Sequence, residues 1–305
     1  MQVRFTMMVG LPASGKTTYA SSLKTKATVL SSDDIRQEMF GSGNGFTPEE
    51  NSQVFGEMLK RTLEELGQKH SVVYDATNIS RKRRMSTVSQ IKAKYPNIAY
   101  ECIVCVAPFN VCKRRNDKRW FDQVPQEKML DMWHHFEVPC PQEGWSRIRL
   151  YFSASRGIRI QDLLVRGIDF NQKSKYHAES LGNHMLMCRE WMKRYHEDAD
   201  KVVQSAAFLH DIGKFDTKTV IDGEAHYYGH ENVGAYNSLM VHDLTSFGDK
   251  LHRALLIELH MRPYLYQDND ILKTKDKTLF GNKTIDEVML IHEADMHGRK
   301  EPDVK

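Results

Sequence analysis

Short apolar runs alternate with helically spaced stretches through the first half of the chain; beyond about residue 173 the strand-like runs nearly vanish. Phe5 to Val9, Thr28 to Ser31, Ser71 to Tyr74, Tyr100 to Ala107 and Ile148 to Phe152 read as strands of a mostly parallel sheet. Between them Thr17 to Leu23, Glu49 to Leu66, Arg81 to Lys94 and Gln126 to Phe136 read as helices, and Thr47-Pro48-Glu49-Glu50 starts one with a Thr cap and Pro in the first turn. Gly41-Ser42-Gly43-Asn44-Gly45 reads as a flexible loop placed to move over a ligand. Later, Ala178 to His196, Ala199 to Leu209, Glu231 to Val241, Lys250 to Leu259 and Ile285 to Ala294 carry helical periodicity. The pattern predicts an α/β domain over residues 1–152, a linker over 153–172 with a short helix at Ile158 to Val165, and an all-α domain over 173–305.

Composition fits this two-domain reading: 305 residues, 40% hydrophobic and 27% charged. No apolar run approaches a membrane span and no signal-peptide pattern opens the chain, so the expected compartment is the cytoplasm, with no membrane partner. Five cysteines at irregular spacing argue against a disulfide framework, and Cys102 and Cys105, three apart on a strand, read as core thiols. The net charge of +3 divides unevenly, with 22 Lys and Arg against 16 Asp and Glu in residues 1–152 and 21 against 24 thereafter. Two basic clusters, Arg81-Lys82-Arg83-Arg84 and Lys113-Arg114-Arg115 with Lys118-Arg119, suit a polyanionic ligand or a solvated helix face.

Gly10-Leu11-Pro12-Ala13-Ser14-Gly15-Lys16-Thr17 matches G-x-x-x-x-G-K-[ST] between a strand and a helix. Glycines let successive backbone N–H groups close around phosphate oxygens. Gly10, Ser14, Gly15, Lys16, Thr17 and Thr18 are therefore the candidate ATP site, with Lys16 on the β- and γ-phosphates and Thr17 on Mg²⁺. After the second strand, Asp33-Asp34-Ile35-Arg36 offers a carboxylate to take a hydroxyl proton and an Arg one turn on to hold a neighbouring phosphate; one of the two Asp residues would serve only as a helix cap. Asp75 ends the third strand as a carboxylate facing Mg²⁺ or its waters, and Arg115 and Arg119, four apart on an expected lid helix, would neutralise the transferred phosphoryl group.

These motifs, with Asp75-Ala76-Thr77-Asn78 and the basic residues after it and Arg115-Asn116-Asp117-Lys118-Arg119 before Val124-Pro125, resemble the kinase domain of phage-type 5′-hydroxyl polynucleotide kinases over about residues 1–152. The resemblance implies Asp33 as general base, Arg36 on the acceptor phosphate, Arg119 on the ATP phosphates, and Asn78 and Arg83 on the substrate. Ser32 and Ile35 depart from the family pattern outside the catalytic roles.

The chain has fourteen histidines, most of them in the second half. His210-Asp211 ends the apolar helix Ala206 to Leu209 with two adjacent metal-ligand types, while His184 lies on an upstream helix and Asp295 ends a downstream one. Imidazole with carboxylate suits Mn²⁺, Ni²⁺, Co²⁺, Fe²⁺ or Zn²⁺, and the absence of Cys from the set argues against a structural zinc. The set resembles the HD-domain metal-dependent phosphohydrolases over about residues 173–298, with metal ligands at His184, His210, Asp211 and Asp295. The resemblance also implies Asp211 and Lys214 as catalytic residues, His177, Lys214, His230 and His260 as substrate contacts, and His230 and His260 with Asp211 as holders of a second ion. His226, His242, His252, His292 and His297 read as ordinary surface or core histidines.

Together the two resemblances imply a bifunctional end-healing enzyme: ATP- and Mg²⁺-dependent phosphorylation of 5′-OH ends of DNA or RNA, and metal-dependent removal of a 3′-phosphate or 2′,3′-cyclic phosphate, with a polynucleotide ligase acting next. The alternatives are a small-molecule kinase joined to an HD nucleotidase, and an ATP-switched RNA-binding module with an inert helical half.

Overall fold

The structure, a computed structural model of the chain, describes residues 2–41, 47–120, 123–154, 157–173, 178–243 and 246–299. The glycine-rich loop expected over 41–45 falls largely, and His177 wholly, outside these residues. The chain divides into two compact units, one of residues 1–133 and 139–155, the other of residues 134–138 and 156–305. Among the described residues no helix is long and apolar enough to cross a membrane.

The first unit is an α/β layer structure. Its elements are β1 (Arg4–Val9), α1 (Lys16–Ser21), β2 (Thr28–Ser31), α2 (Ser32–Phe40), α3 (Pro48–Gly67), β3 (Val72–Asp75), α4 (Arg81–Lys94), β4 (Ala99–Val106), α5 (Phe109–Asp117), α6 (Gln126–His134) and β5 (Arg147–Phe152). The strands form one sheet in the order β2-β3-β1-β4-β5, with every pairing parallel. The inner strands are buried on both faces, which is why they read as unbroken apolar runs. Cys102 and Cys105 are core thiols of β4, as expected. Helix α3 starts where the sequence predicts: Thr47 Oγ1 accepts from Glu50 N–H and Glu50 Oε2 accepts from Thr47 N–H, at 3.1 and 2.7 Å. Its buried stripe, Val54, Met58, Thr62 and Leu66, follows the helical repeat onto the sheet.

Two expectations are corrected here. The lid helix carrying both Arg115 and Arg119 does not form, because α5 ends at Asp117. The cluster Arg81 to Arg84 is not a solvated basic face: Arg84 is fully buried and clasps Glu143 through Nε–Oε2 at 2.7 Å and Nη2–Oε1 at 2.6 Å, with Arg81 3.4 Å from the same carboxylate. An amphipathic α4 turns one stripe, Arg81, Arg84, Val88 and Ile91, inward, and the buried guanidinium groups require a buried anion.

The second unit is mainly helical: α7 (Ile160–Ile168), α8 (Leu181–Tyr195), α9 (Lys201–Leu209), α10 (Lys214–Thr217), α11 (His230–Ser238), α12 (Phe247–Leu259), α13 (Pro263–Tyr266), α14 (Asp270–Phe280) and α15 (Asn282–His297). Helix α7 lies inside the stretch read as a linker. Strand structure is not absent as expected: β6 (Ile158–Arg159) pairs with β9 (Val241–His242), and β7 (Thr219–Ile221) pairs antiparallel with β8 (Glu224–His226). Asp222 and Gly223, both at positive φ (51° and 87°), close that hairpin with the geometry that Asp-Gly favours. Residues 134–138 pack in this unit: Phe136 is fully buried with its ring 4.9 Å from that of Tyr236, Val138 N–H donates to Glu258 at 2.6 Å, and the His134 carbonyl accepts from Asn232 at 2.7 Å.

Candidate functional site

In the first unit the loops after β1, β2 and β3 meet at the carboxyl edge of the sheet, where open α/β sheets bind ligands. Register aligns them: Ser31, the last residue of β2, lies opposite Asp75, the last of β3. The phosphate loop is tied to the β3 loop by Gly10 N–H donating to the Thr77 carbonyl at 2.9 Å, while Asn78 Nδ2 donates to the Met8 carbonyl at 2.7 Å. Gly15 takes φ 98°, and a Cβ there would stand 2.7 Å from Ser153 Cβ, so the loop needs glycine for both conformation and space.

A cleft of about 940 Å³ opens on this edge, lined among others by Lys16, Thr17, Asp33, Arg36, Asp75, Asn78, Arg83 and Arg119. Lys16 Nζ donates to the Leu11 carbonyl at 2.8 Å, inside its own loop. Burial lowers the Lys16 pKa, opposed first by the Asp75 charge, and burial raises that of Asp75, opposed first by Lys16. Buried Ser14 Oγ has no hydrogen-bond partner in the cradle, an orphan that a phosphate oxygen would satisfy. Asp33 and Arg36 face each other one turn apart on α2, with Nη1 2.7 Å from Oδ1, and Arg36 Nη2 also donates to Asn51 Oδ1 at 3.2 Å. Asn51 on α3 was not singled out by sequence; only the packing of α3 against α2 brings it in. Asp34 N–H is capped by Ser31 Oγ, so the α2 cap is Ser31 and neither Asp33 nor Asp34.

Arg115 is placed differently from expectation. It does not line the cleft; it holds the phosphate loop from behind, donating to Ser153 Oγ and the Ser153 carbonyl at 2.8 and 2.7 Å and to the Ala13 carbonyl at 3.3 Å. Arg119 lines the cleft from the turn after α5. Buried Asn116 shapes that turn, bracketing Val124 with bonds of 2.8 and 3.0 Å. Thr18 is exposed on α1 and does not line the cleft.

In the second unit four histidines and two aspartates converge. His184 Nε2 lies 3.3 Å from His210 Nε2, 3.5 Å from Asp211 Oδ2 and 3.3 Å from Asp295 Oδ1. His230 Nε2 lies 3.3 Å from His260 Nε2, and the two stand 3.4 and 3.9 Å from Asp211 Oδ1. Asp211 thus presents one oxygen to each histidine pair. Each ring also gives its Nδ1–H to a backbone carbonyl, of Gly298, Ala207, Tyr227 and Ile257 respectively, at 2.7 to 3.0 Å. A carbonyl only accepts, so each Nδ1 carries a proton and the four Nε2 atoms point inward, the orientation of metal-ligating imidazoles. Gly213 makes this possible, since a Cβ there would stand 1.9 Å from the His230 carbonyl at the start of α11.

Electrostatics matches a cation-binding cluster. Burial would raise Asp211, yet the Lys214 ammonium and the His210 imidazole outweigh it and hold the carboxyl well below its usual range. Burial and the neighbouring His210 and His230 push His260 down to about 3, leaving a neutral ring. Burial opposes, but the Asp211 charge carries His210 up to about 10. Positive charge is wanted at the centre, and a divalent ion supplies it.

Lys214, named from sequence, reaches Asp211 Oδ2 with its Nζ at 2.6 Å, and at 3.1 Å Gln172 Oε1, a partner that sequence missed along with Glu179, Tyr264 and Arg299. Buried Glu179 stands 3.3 Å from His184 Nδ1, and Tyr264 Oη donates to Asp295 Oδ2 at 2.7 Å alongside Arg299. The Lys214–Gln172 and Tyr264–Asp295 contacts are long-range, with no local spacing to betray them. One expectation is corrected: a thiol does stand at the cluster, Cys188 Sγ, 3.6 Å from His184 Nε2.

Residues 5–139 match the family described as AAA domain, AAA_33. The N-terminal unit is a parallel-sheet α/β fold that carries a P-loop. No curated protein sequence matches the chain. Among solved structures, this P-loop chain is similar to one from Chloroflexus aurantiacus described as a kinase, at 16% identity over 51% of this chain and 90% of that one, TM-score 0.44. It is similar to a sugar kinase of Janibacter at 17% identity over 49% and 85%, TM-score 0.39. It is also similar to a chain of the Pnkp1/Rnl/Hen1 RNA repair complex at 21% identity over 43% of each, TM-score 0.38.

Proposed function

We propose that the chain heals nucleic-acid ends: the first unit phosphorylates a 5′-OH with ATP, and the second is an HD-type phosphohydrolase that removes a 3′-phosphate or opens a 2′,3′-cyclic phosphate. The observation that carries the reading is the Asp33–Arg36 pair in the same cleft as Lys16, Thr17 and Asp75, because it adds an acceptor site to a phosphate cradle.

In this reading Lys16 and the loop N–H groups hold the ATP phosphates, and Arg119 offsets charge on the γ-phosphoryl group. Thr17 and Asp75 would hold Mg²⁺, which supplies further charge neutralisation when bound. Arg36 grips the phosphate next to the acceptor hydroxyl and Asp33 takes the hydroxyl proton as the new O–P bond forms. Asn78 and Arg83, which line the same cleft, would contact the acceptor. ATP leaves as ADP, and the nucleic acid gains the phosphoryl group.

In the second unit His184, His210, Asp211 and Asp295 would hold one ion of the Mn²⁺, Co²⁺, Ni²⁺ or Zn²⁺ class, and Asp211, His230 and His260 a second. Such ions lower the pKa of water and polarise the phosphoryl group. Lys214 keeps Asp211 ionised and oriented, and a ligase would consume the finished ends.

The test incubates purified protein, ATP and Mg²⁺ with a 5′-OH oligonucleotide and with mononucleotides in competition. Transfer to the oligonucleotide, blocked by Lys16→Ala and Asp33→Ala, supports the kinase reading; turnover of mononucleotides unaffected by excess oligonucleotide replaces it with a small-molecule kinase. Release of phosphate from 3′-phosphate ends at wild-type rate by Asp211→Ala would remove the phosphohydrolase reading.

A further inference from the structure

Cys188 sits one helical turn after His184 on α8, on the same face, and is fully buried. Its Sγ lies 3.6 Å from His184 Nε2, the ring nitrogen turned into the cluster, and the donor atoms of His184, Cys188 and His210 lie within 4.8 Å of one another. A buried cysteine is ordinarily a small apolar filler, and burial alone would leave it so. Its separation from the neighbouring donors says more. With metal–sulfur and metal–nitrogen bonds of about 2.3 and 2.0–2.1 Å, two ligands about 110° apart on one ion stand roughly 3.6 Å apart when one is sulfur and roughly 3.3 Å when both are nitrogen. The structure has 3.6 Å for Cys188 Sγ to His184 Nε2 and 3.3 Å for His184 Nε2 to His210 Nε2.

We infer that Cys188 is a direct thiolate ligand of the ion held by His184 and His210, so that this position takes a borderline-soft cation such as Zn²⁺ or Co²⁺ in preference to Mn²⁺ or Mg²⁺. The inference rests on the metal-centre reading given above for the second unit. The two ion positions then differ in kind: the one at His230 and His260 has imidazole and carboxylate donors, the one at His184 and His210 adds sulfur. A thiolate ligand strengthens binding of Zn²⁺ and Co²⁺ far more than of Mn²⁺. Binding breaks the S–H bond, forms a metal–sulfur bond and releases the proton to solvent.

The experiment titrates metal-free full-length protein with Co²⁺ and follows its visible d–d bands and the near-ultraviolet band of thiolate-to-cobalt charge transfer. Both should appear in the wild type, and Cys188→Ser and Cys188→Ala should keep the visible bands while losing the charge-transfer band. Retained visible bands also show that the variants fold and bind. Visible bands without charge transfer in the wild type, or charge transfer that persists in both variants, overturns the thiolate ligand and leaves the metal centre standing. The absence of any cobalt band overturns the metal centre and the ligand together.

Discussion

Arg36 Nη1 donates to Asp33 Oδ1 across 2.7 Å, so the group proposed to hold an acceptor phosphate is paired with the group proposed to take the acceptor hydroxyl's proton. In that reading an incoming phosphate would compete for the guanidinium and leave the Asp33 oxygen facing the hydroxyl. Arg36→Ala should raise the KM for a 5′-OH oligonucleotide roughly ten- to hundredfold, the worth of one charged hydrogen bond. The KM for ATP should not move, and Arg36→Lys should rescue poorly because Lys lacks the planar fork that reaches Asn51 as well. Steady-state kinetics with each substrate varied checks this; equal loss on both substrates would contradict it.

Glu143 is the anion that makes the buried Arg84 tolerable, and Arg84 also donates to the Asn78 and Ile79 carbonyls at 3.0 and 2.9 Å. Glu143→Ala should cost about 3–5 kcal/mol, because it leaves a buried charge unpaired. Exchanging both Arg84 and Glu143 for apolar residues should recover only part of that stability, because buried Arg81 still loses the same carboxylate. Chemical denaturation of the three proteins measures it.

Glu65 accepts from the Thr28 hydroxyl at 2.8 Å and contacts His70 Nδ1 at 2.9 Å, fastening the end of α3 to β2, the strand that leads to Asp33. The Thr28 bond, then His70, lowers the Glu65 pKa. A depressed acid stabilises the fold above its unfolded pKa of about 4.3, and that stability drains away as pH falls through the lower folded value. Wild type should therefore exceed Glu65→Gln in melting temperature at pH 7, with the gap closing below about pH 4. A gap independent of pH would refute the assignment.

Phe136 lies in the short segment 134–138, which belongs by packing to the second unit although the chain on either side of that segment belongs to the first. Phe136→Ala should cost about 3–5 kcal/mol and raise hydrogen exchange in α11 and α12 while the parallel sheet stays protected. Lost protection in the sheet first would contradict this.

What sequence made legible follows from locality. The strands of the sheet announced themselves because burial on both faces makes them continuous apolar runs, and the phosphate loop because its spacing is fixed by what it must wrap. Asp33 and Asp75 were readable as cleft residues because each follows or ends a strand at the carboxyl edge of a parallel sheet. The basic run at Arg81 misled because its counter-ion Glu143 lies 59 residues beyond Arg84. Arg115 and Arg119 misled because helical spacing was extended past the true end of α5. Cys188 was within reach, four residues after His184, and the Asp222-Gly223 turn was a local hairpin signal left unread. Gln172, Glu179 and Tyr264 carried no such sign.

The most direct measurement is the intact mass of a short RNA bearing a 5′-OH and a 2′,3′-cyclic phosphate after incubation with ATP, Mg²⁺ and Co²⁺. The wild type should add one phosphoryl group at the 5′ end and open or remove the cyclic phosphate. Lys16→Ala should lose only the first change and Asp211→Ala only the second. An RNA left unchanged at both ends by wild-type protein that is folded and metal-loaded would contradict the account.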